Sequence, residues 1–274
     1  MVANMSVFEW WQYDFMQNAF WALLIIAPLL AIVGSLVVNA RLSFFSDAIG
    51  HSALTGVALG VLLRLQNPSW MIIIYSLILS FVITFLKYKI PQKTDMFIAL
   101  IMSFSVALGL VLLTHTGQFS KFSTLLVGDL LSIQKKEIYE LGLLLLLGLL
   151  FLFFSLKKIV LVSLSTSLAR SRGINVFLVE VLFSSFVAIV VSLCIPWVGL
   201  LVINSLLVLP AATSNNVSKG MKNYLLGSLF ISIFASIVGL ILSYYLSSAT
   251  GATIVLVLMS FFVISLFLMK SLRK

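Results

Sequence analysis

The chain has 274 residues, of which 62% are hydrophobic and only 9% charged, with a formal net charge of +9. A soluble domain is roughly half apolar and about a quarter charged, so no soluble fold could cover this much apolar surface. The basic excess would suit a nucleic-acid partner, but its placement along the chain excludes one.

Nine apolar windows follow one another, each of roughly 17–25 residues and so long enough to cross a bilayer as a helix. They span 19–39, 42–64, 70–87, 95–114, 137–157, 175–194, 197–213, 223–247 and 252–270. With a mean hydropathy of +1.21, the chain reads as one all-α, polytopic transmembrane domain over 1–274. The first window is too long for the apolar stretch of a cleaved signal, and Glu9 and Asp14 precede it without any Lys or Arg.

The second window holds two polar residues four apart, Asp47 and His51, and then "GVALG", with Gly56 and Gly60 one helical turn apart. Ala235 and Gly239 repeat that spacing in the eighth window, and small residues so placed mark close helix packing. After the fourth window His115 reads as a solvated loop residue. Residues 122–133, "FSTLLVGDLLSI", are too short to span and carry Asp129, which predicts a short interfacial or re-entrant helix.

Residues 176–212 are one apolar run too long for a single span, and Pro196 in "LCIPWVG" is expected to mark the turn between two helices. Glu180 lies a few residues into the sixth span, where its side chain can snorkel to the interface. The lone Cys194 is a small apolar packing residue. Asn204 and Ser205 interrupt the seventh span, as candidates either to bond across helices or to line a pathway.

With the N-terminus outside, thirteen of the 17 basic residues fall in cytoplasmic segments, leaving Arg64, Lys121, Lys135 and Lys136 outside. That bias predicts an N-out, C-in topology in the cell membrane, so the basicity serves orientation rather than nucleic-acid binding.

Positions i and i+4 share one helical face, so Asp47 and His51 present a carboxylate and an imidazole to the same side. A carboxylate facing lipid would cost several kcal/mol, so the pair must face the bundle interior or a wet path. At about 1.5 Å per residue, Asp47 lies roughly 9 Å and His51 roughly 15 Å in from Arg41, near mid-membrane. Carboxylate with neutral imidazole suits a first-row divalent ion. Two ligands are few, and a two-fold homodimer would supply four. The alternative is a buried hydrogen bond that pins a helix. No Walker loop, GxGxxG or HExxH occurs, so the chain shows neither an ATP site nor an enzyme constellation.

"RLSFFSDAIGHSALTGVALG" at 41–60 resembles the second-helix signature of the ABC-type zinc/manganese/iron permeases, the metal-specific ABC-3 membrane subunits. "LLVGDLLSI" at 125–133, "WVGLLVINSLLVLPAATS" at 197–214 and "SATGATIVLV" at 248–257 are similar to later segments of that family, in the same order. The resemblance implies a homodimeric permease with a fold like that of the cobalamin and siderophore importers. It implies a cytoplasmic ABC ATPase on each half, which carries the ATP, and an extracytoplasmic metal-binding protein that delivers the ion. Zn, Mn or Fe would be substrate rather than resident cofactor, with zinc slightly favoured, and Asp47 and His51 would contact the metal in transit.

"VSLSTSLARSRGINV" at 162–176 is similar to the family's ATPase-coupling segment through Ala169, Gly173 and Ile174, which predicts a short cytoplasmic helix over about 163–174. Ala169 and Gly173 would then lie on one face of that helix. The sequence departs from the family at Ser165, where an acid is usual, and at Thr55, where a proline is usual and whose absence predicts a straighter second helix. Two other functions fit the residues less well. An ion-coupled secondary metal transporter would use Asp47 and His51 as a proton relay, and a non-transporting scaffold would use them as a structural pin.

Overall fold

The computed structural model describes residues 9–122 and 128–272, with side chains to Met269. Besides a helical stretch at 119–122 that borders the undescribed residues, the described residues form ten α-helices. They are α1 (Asp14–Asn39), α2 (Ser43–Leu62), α3 (Ser69–Lys89), α4 (Thr94–His115), α5 (Lys135–Leu164), α6 (Thr166–Ser171), α7 (Val176–Val198), α8 (Leu200–Val217), α9 (Met221–Tyr245) and α10 (Thr250–Leu272). All but α6 are long and apolar enough to cross a membrane, nine among the described residues. Each corresponds to one of the nine apolar windows, because at that length and composition a helix alone satisfies its own backbone in lipid.

Boundaries differ where local chemistry overrides hydropathy. Helix α5 runs seven residues beyond its apolar window, through Lys157 and Lys158 to Leu164, since a helix does not stop where lipid does. The break between α7 and α8 falls at Gly199, not at Pro196, which lies inside α7. Proline near a helix C-terminus removes one backbone donor without forcing a turn. Gly199 takes φ 82° and ψ 154°, a conformation open to glycine, and so ends the helix.

Of the short helix expected over 122–133, residues 123–127 lie outside the described residues. The described remainder holds a 3-10 turn at Leu130–Ser132, capped by the Asp129 carboxylate, which accepts from Leu131 N at 3.2 Å. Gly128, at φ 72°, approaches Gly199 so closely that a Cβ would stand 2.3 Å from its nitrogen. Glycine is required there on both counts.

Two compact units divide the chain, each assembled from separated segments. The first takes residues 1–35, 129–149 and 205–274. Backbone carbonyls of α1 are reached there by α9: Tyr224 Oη donates to Ser35 O at 3.1 Å and Ser232 Oγ to Ala27 O at 2.9 Å. Helices α9 and α10 pack through Gly239, where a Cβ would lie 2.7 Å from Ile254 Cα, and Ala235 is fully buried one turn earlier.

The second unit takes residues 36–128 and 150–204. Its helix α2 packs on α3, α4 and α7. Gly56 and Gly60 face the start of α3, where Cβ atoms would come within 2.7 Å of Ile72 Cα and 2.8 Å of Pro68 O. Thr55 is buried and its hydroxyl donates to the Ser105 carbonyl of α4. The residue that departs from the family's proline therefore ties two helices together, and α2 continues unbroken past it.

Candidate functional site

Helix α2 is enclosed by its neighbours, and its exposure pattern singles out the candidate site. Between Phe45 and Ala58 every residue is buried except Asp47 and His51. Their side chains keep 36% and 38% of their surface. Helical spacing puts them on one stripe, and no neighbour among the described residues closes that stripe off. Polar groups left accessible on an otherwise sealed spanning helix need water, a partner or a ligand against them.

The geometry is that of an incomplete constellation. His51 Nε2 lies 3.4 Å from Asp47 Oδ1, long for a charge-assisted hydrogen bond. A first-row ion with bonds of roughly 2.0–2.2 Å spaces adjacent ligand atoms about 3.0–3.4 Å apart, so the pair is separated as two ligands would be. Asn204, on α8, donates from Nδ2 to the same Oδ1 at 2.6 Å. Both of these contacts of Asp47 go to Oδ1. The Asn204 carbonyl Oδ1 is buried and has no hydrogen-bond partner.

From its place in the seventh apolar window, Asn204 could either bond across helices or line a path. The structure brings it to Asp47, 157 positions away. No reading of the chain by itself pairs those two residues, since the contact depends on where α8 starts, and Gly199 sets that. Ser205, the next residue along α8, belongs to the first unit. No three His, Cys, Asp or Glu side chains gather as a metal cluster among the described residues.

The other polar residues have different surroundings. His115 ends α4 and is exposed. Cys194 is buried. Glu180 pairs with Lys87 of α3 at 2.9 Å, with both side chains under one-fifth exposed. One turn deeper, Thr84 donates to Ser184 at 2.7 Å, and one residue beyond Lys87 the Tyr88 ring meets Phe177 with centroids 5.0 Å apart. This ion pair is closed by the protein itself and forms part of a seam between α3 and α7.

A cavity of about 520 Å³ opens beside that seam, lined in part by Arg41, Lys87, Asp95, Glu180 and Thr166. Thr166 is the first residue of α6, the short helix expected over 163–174. Its limits are narrower because α5 takes the first two positions and caps close both ends. Ser165 accepts from Leu168 N at 3.3 Å. Serine and the usual acid are equivalent as N-caps, so this departure from the family preserves the helix start.

The C-terminus of α6 is a Schellman turn, with Ile174 N donating to Ala169 O and Gly173 N to Arg170 O. Gly173 takes φ 72° at the position after the cap, in open space. Ala169 is fully buried. The two small residues therefore do not share one exposed helical face: Ala169 seats the helix and Gly173 ends it.

A family model, the ABC 3 transport family, matches residues 12–269. The high-affinity zinc uptake system membrane protein ZnuB of Haemophilus influenzae is 31% identical over 245 residues, covering 89% of this chain and 92% of its own. The manganese import system permease protein ScaB of Streptococcus parasanguinis is 30% identical over 266 residues, covering 96% and 94%. Among solved structures, PsaBC from Streptococcus pneumoniae in complex with Fab superposes with a TM-score of 0.80 at 27% identity, covering 93% of this chain and 92% of the other. With a match over nearly its whole length and an all-helical fold to agree, the chain belongs to the ABC 3 transport family.

Proposed function

We propose that this chain is the transmembrane permease subunit of an ATP-driven importer for divalent transition-metal ions, and that the ion passes Asp47 and His51. The observation that carries the reading is the exposure of these two residues alone on the sealed stretch of α2, at ligand-like separation. Relatives named for zinc and for manganese support the substrate class and, at 31% and 30% identity, do not separate the two metals.

Two donors from one chain hold an ion weakly, as a conduit must, because an ion that cannot leave is not transported. A second copy across a two-fold axis would bring the same two donors again. The chain is then a homodimer whose ATP is hydrolysed by a separate cytoplasmic ATPase and whose metal arrives on an extracytoplasmic binding protein. Helix α6, with Ala169 as its seat and Gly173 and Ile174 as its closing turn, is the ATPase contact. On this reading the N-terminus lies outside and the C-terminus in the cytoplasm, an orientation that the basic bias and nine candidate spans among the described residues support.

Metal uptake by assembled complexes carrying Asp47→Asn or His51→Ala tests the pathway. Both should lose uptake while still assembling, and full uptake in both would sink the reading. The ATPase contact has a separate test in Gly173→Trp. A bulky residue at positive φ should uncouple ATP hydrolysis from metal without blocking insertion, and normal coupling would place the contact elsewhere.

A further inference from the structure

The metal reading above leaves the choice of ion open, and Asn204 bears on it. We propose that Asn204 is the third donor of the Asp47–His51 site, and that its amide oxygen biases the site toward harder, six-coordinate ions such as Mn²⁺ or Fe²⁺ over tetrahedral Zn²⁺. This rests on the metal reading of Asp47 and His51 and goes one step past it.

Three observations combine. Asn204 already touches the site, through its 2.6 Å bond to Asp47 Oδ1. Its own carbonyl oxygen is buried with no hydrogen-bond partner, a condition that costs free energy and leaves that oxygen free to serve as a ligand atom. The described residues supply no third His, Cys, Asp or Glu, so a further donor from this chain would be of another type, and the Asn204 amide oxygen is the one already beside the pair.

Amide rotation exchanges Nδ2 and Oδ1. Without an ion, the N–H side faces the carboxylate, as the structure has it. With an ion held by Asp47 and His51, the oxygen side is the one attracted. Two donors per chain across a two-fold axis make four, the number zinc prefers. Three per chain make six, two of them amide oxygens, which suits Mn²⁺ and Fe²⁺. The sequence segments lean slightly to zinc, and the donor set leans the other way.

The test is direct binding of Mn²⁺ and of Zn²⁺, each alone, to the full chain in lipid nanodiscs. Asn204→Leu should weaken Mn²⁺ by about tenfold while Zn²⁺ changes by less than about threefold. Asn204→Asp keeps an oxygen donor and loses the N–H, so it should retain the Mn²⁺ preference. If Asn204 only positions Asp47, both variants should weaken both ions by the same factor, and that result overturns the proposal, as does unchanged binding in Asn204→Leu. Should Asn204→Leu fail to assemble, Asn204→Asp decides, because loss of the Mn²⁺ preference there has the same consequence. Asp47→Asn separates the two readings. It should abolish binding of both ions, and if it does so while Asn204→Leu leaves the Mn²⁺-to-Zn²⁺ ratio unchanged, only the third-donor inference fails.

Discussion

Two acid–base pairs stand in the same unit of this protein and are built in opposite ways. Lys87 and Glu180 approach to 2.9 Å between α3 and α7 and keep only 17% and 16% of their surface. A hydroxyl pair and an aromatic contact lie on either side. Asp47 and His51 share one helix at 3.4 Å and keep more than a third of their surface. Beside them stands an amide with an unpartnered oxygen. A pair that satisfies itself is structure. A pair held apart and left accessible is ready for something the chain does not contain. On the proposed reading, the difference separates a staple from a site without reference to any relative.

The largest effect that could break this comparison is on transport. Removing a donor from the open pair, by Asp47→Asn or His51→Ala, should lower metal uptake by about 100-fold or more, since even groups that only support ligands cost about 10–100-fold. Thermal unfolding in detergent should barely move. A large drop in melting temperature with uptake retained would make the open pair a staple after all.

The closed pair should respond in the reverse sense. Lys87→Met alone leaves the largely enclosed Glu180 without its cation; a fully buried charge left so costs about 3–5 kcal/mol in soluble proteins, and one beside a cavity should cost less. The variant should melt early or fail to accumulate. Lys87→Met with Glu180→Gln removes both charges and should recover most of that loss, as a thermal-shift measurement on the purified chain would show. A double variant no better than the single would mean the two residues act independently.

Smaller again is the hydroxyl pair one turn away. Ser184→Ala deletes the acceptor of the Thr84 hydroxyl at 2.7 Å and should cost about 1 kcal/mol, visible as a modest melting shift with normal uptake. Least of all should be His115→Ala, at an exposed helix end, with uptake and melting both near wild type. A strong loss of uptake there would extend the metal path to a residue that geometry leaves in the open.

Much of the architecture was legible because hydropathy is a local property. Nine windows became nine helices, since twenty apolar residues in lipid have one way to satisfy their backbone. Helix ends were less legible. Pro196 looked like the break between α7 and α8 and was not, because proline is tolerated near a helix end whereas the conformation at Gly199 is not helical at all. Gly173 looked like a facing residue and is a terminator, because i and i+4 share a face only if the helix continues through both, and this one ends at Ser171.

The sequence by itself determined the membrane class, the number of spans and the Asp–His stripe on α2, all of which follow from composition and a 3.6-residue period. Only the tertiary structure decided what surrounds that stripe. Neighbouring helices bury the rest of α2 from Phe45 to Ala58 and leave Asp47 and His51 open. A turn at Gly199 starts α8 where Asn204 reaches Asp47. Lys87 and Glu180, 93 positions apart in the sequence, close on each other. Burial and pairing are relations between segments distant in the chain, and no local pattern of residues encodes them.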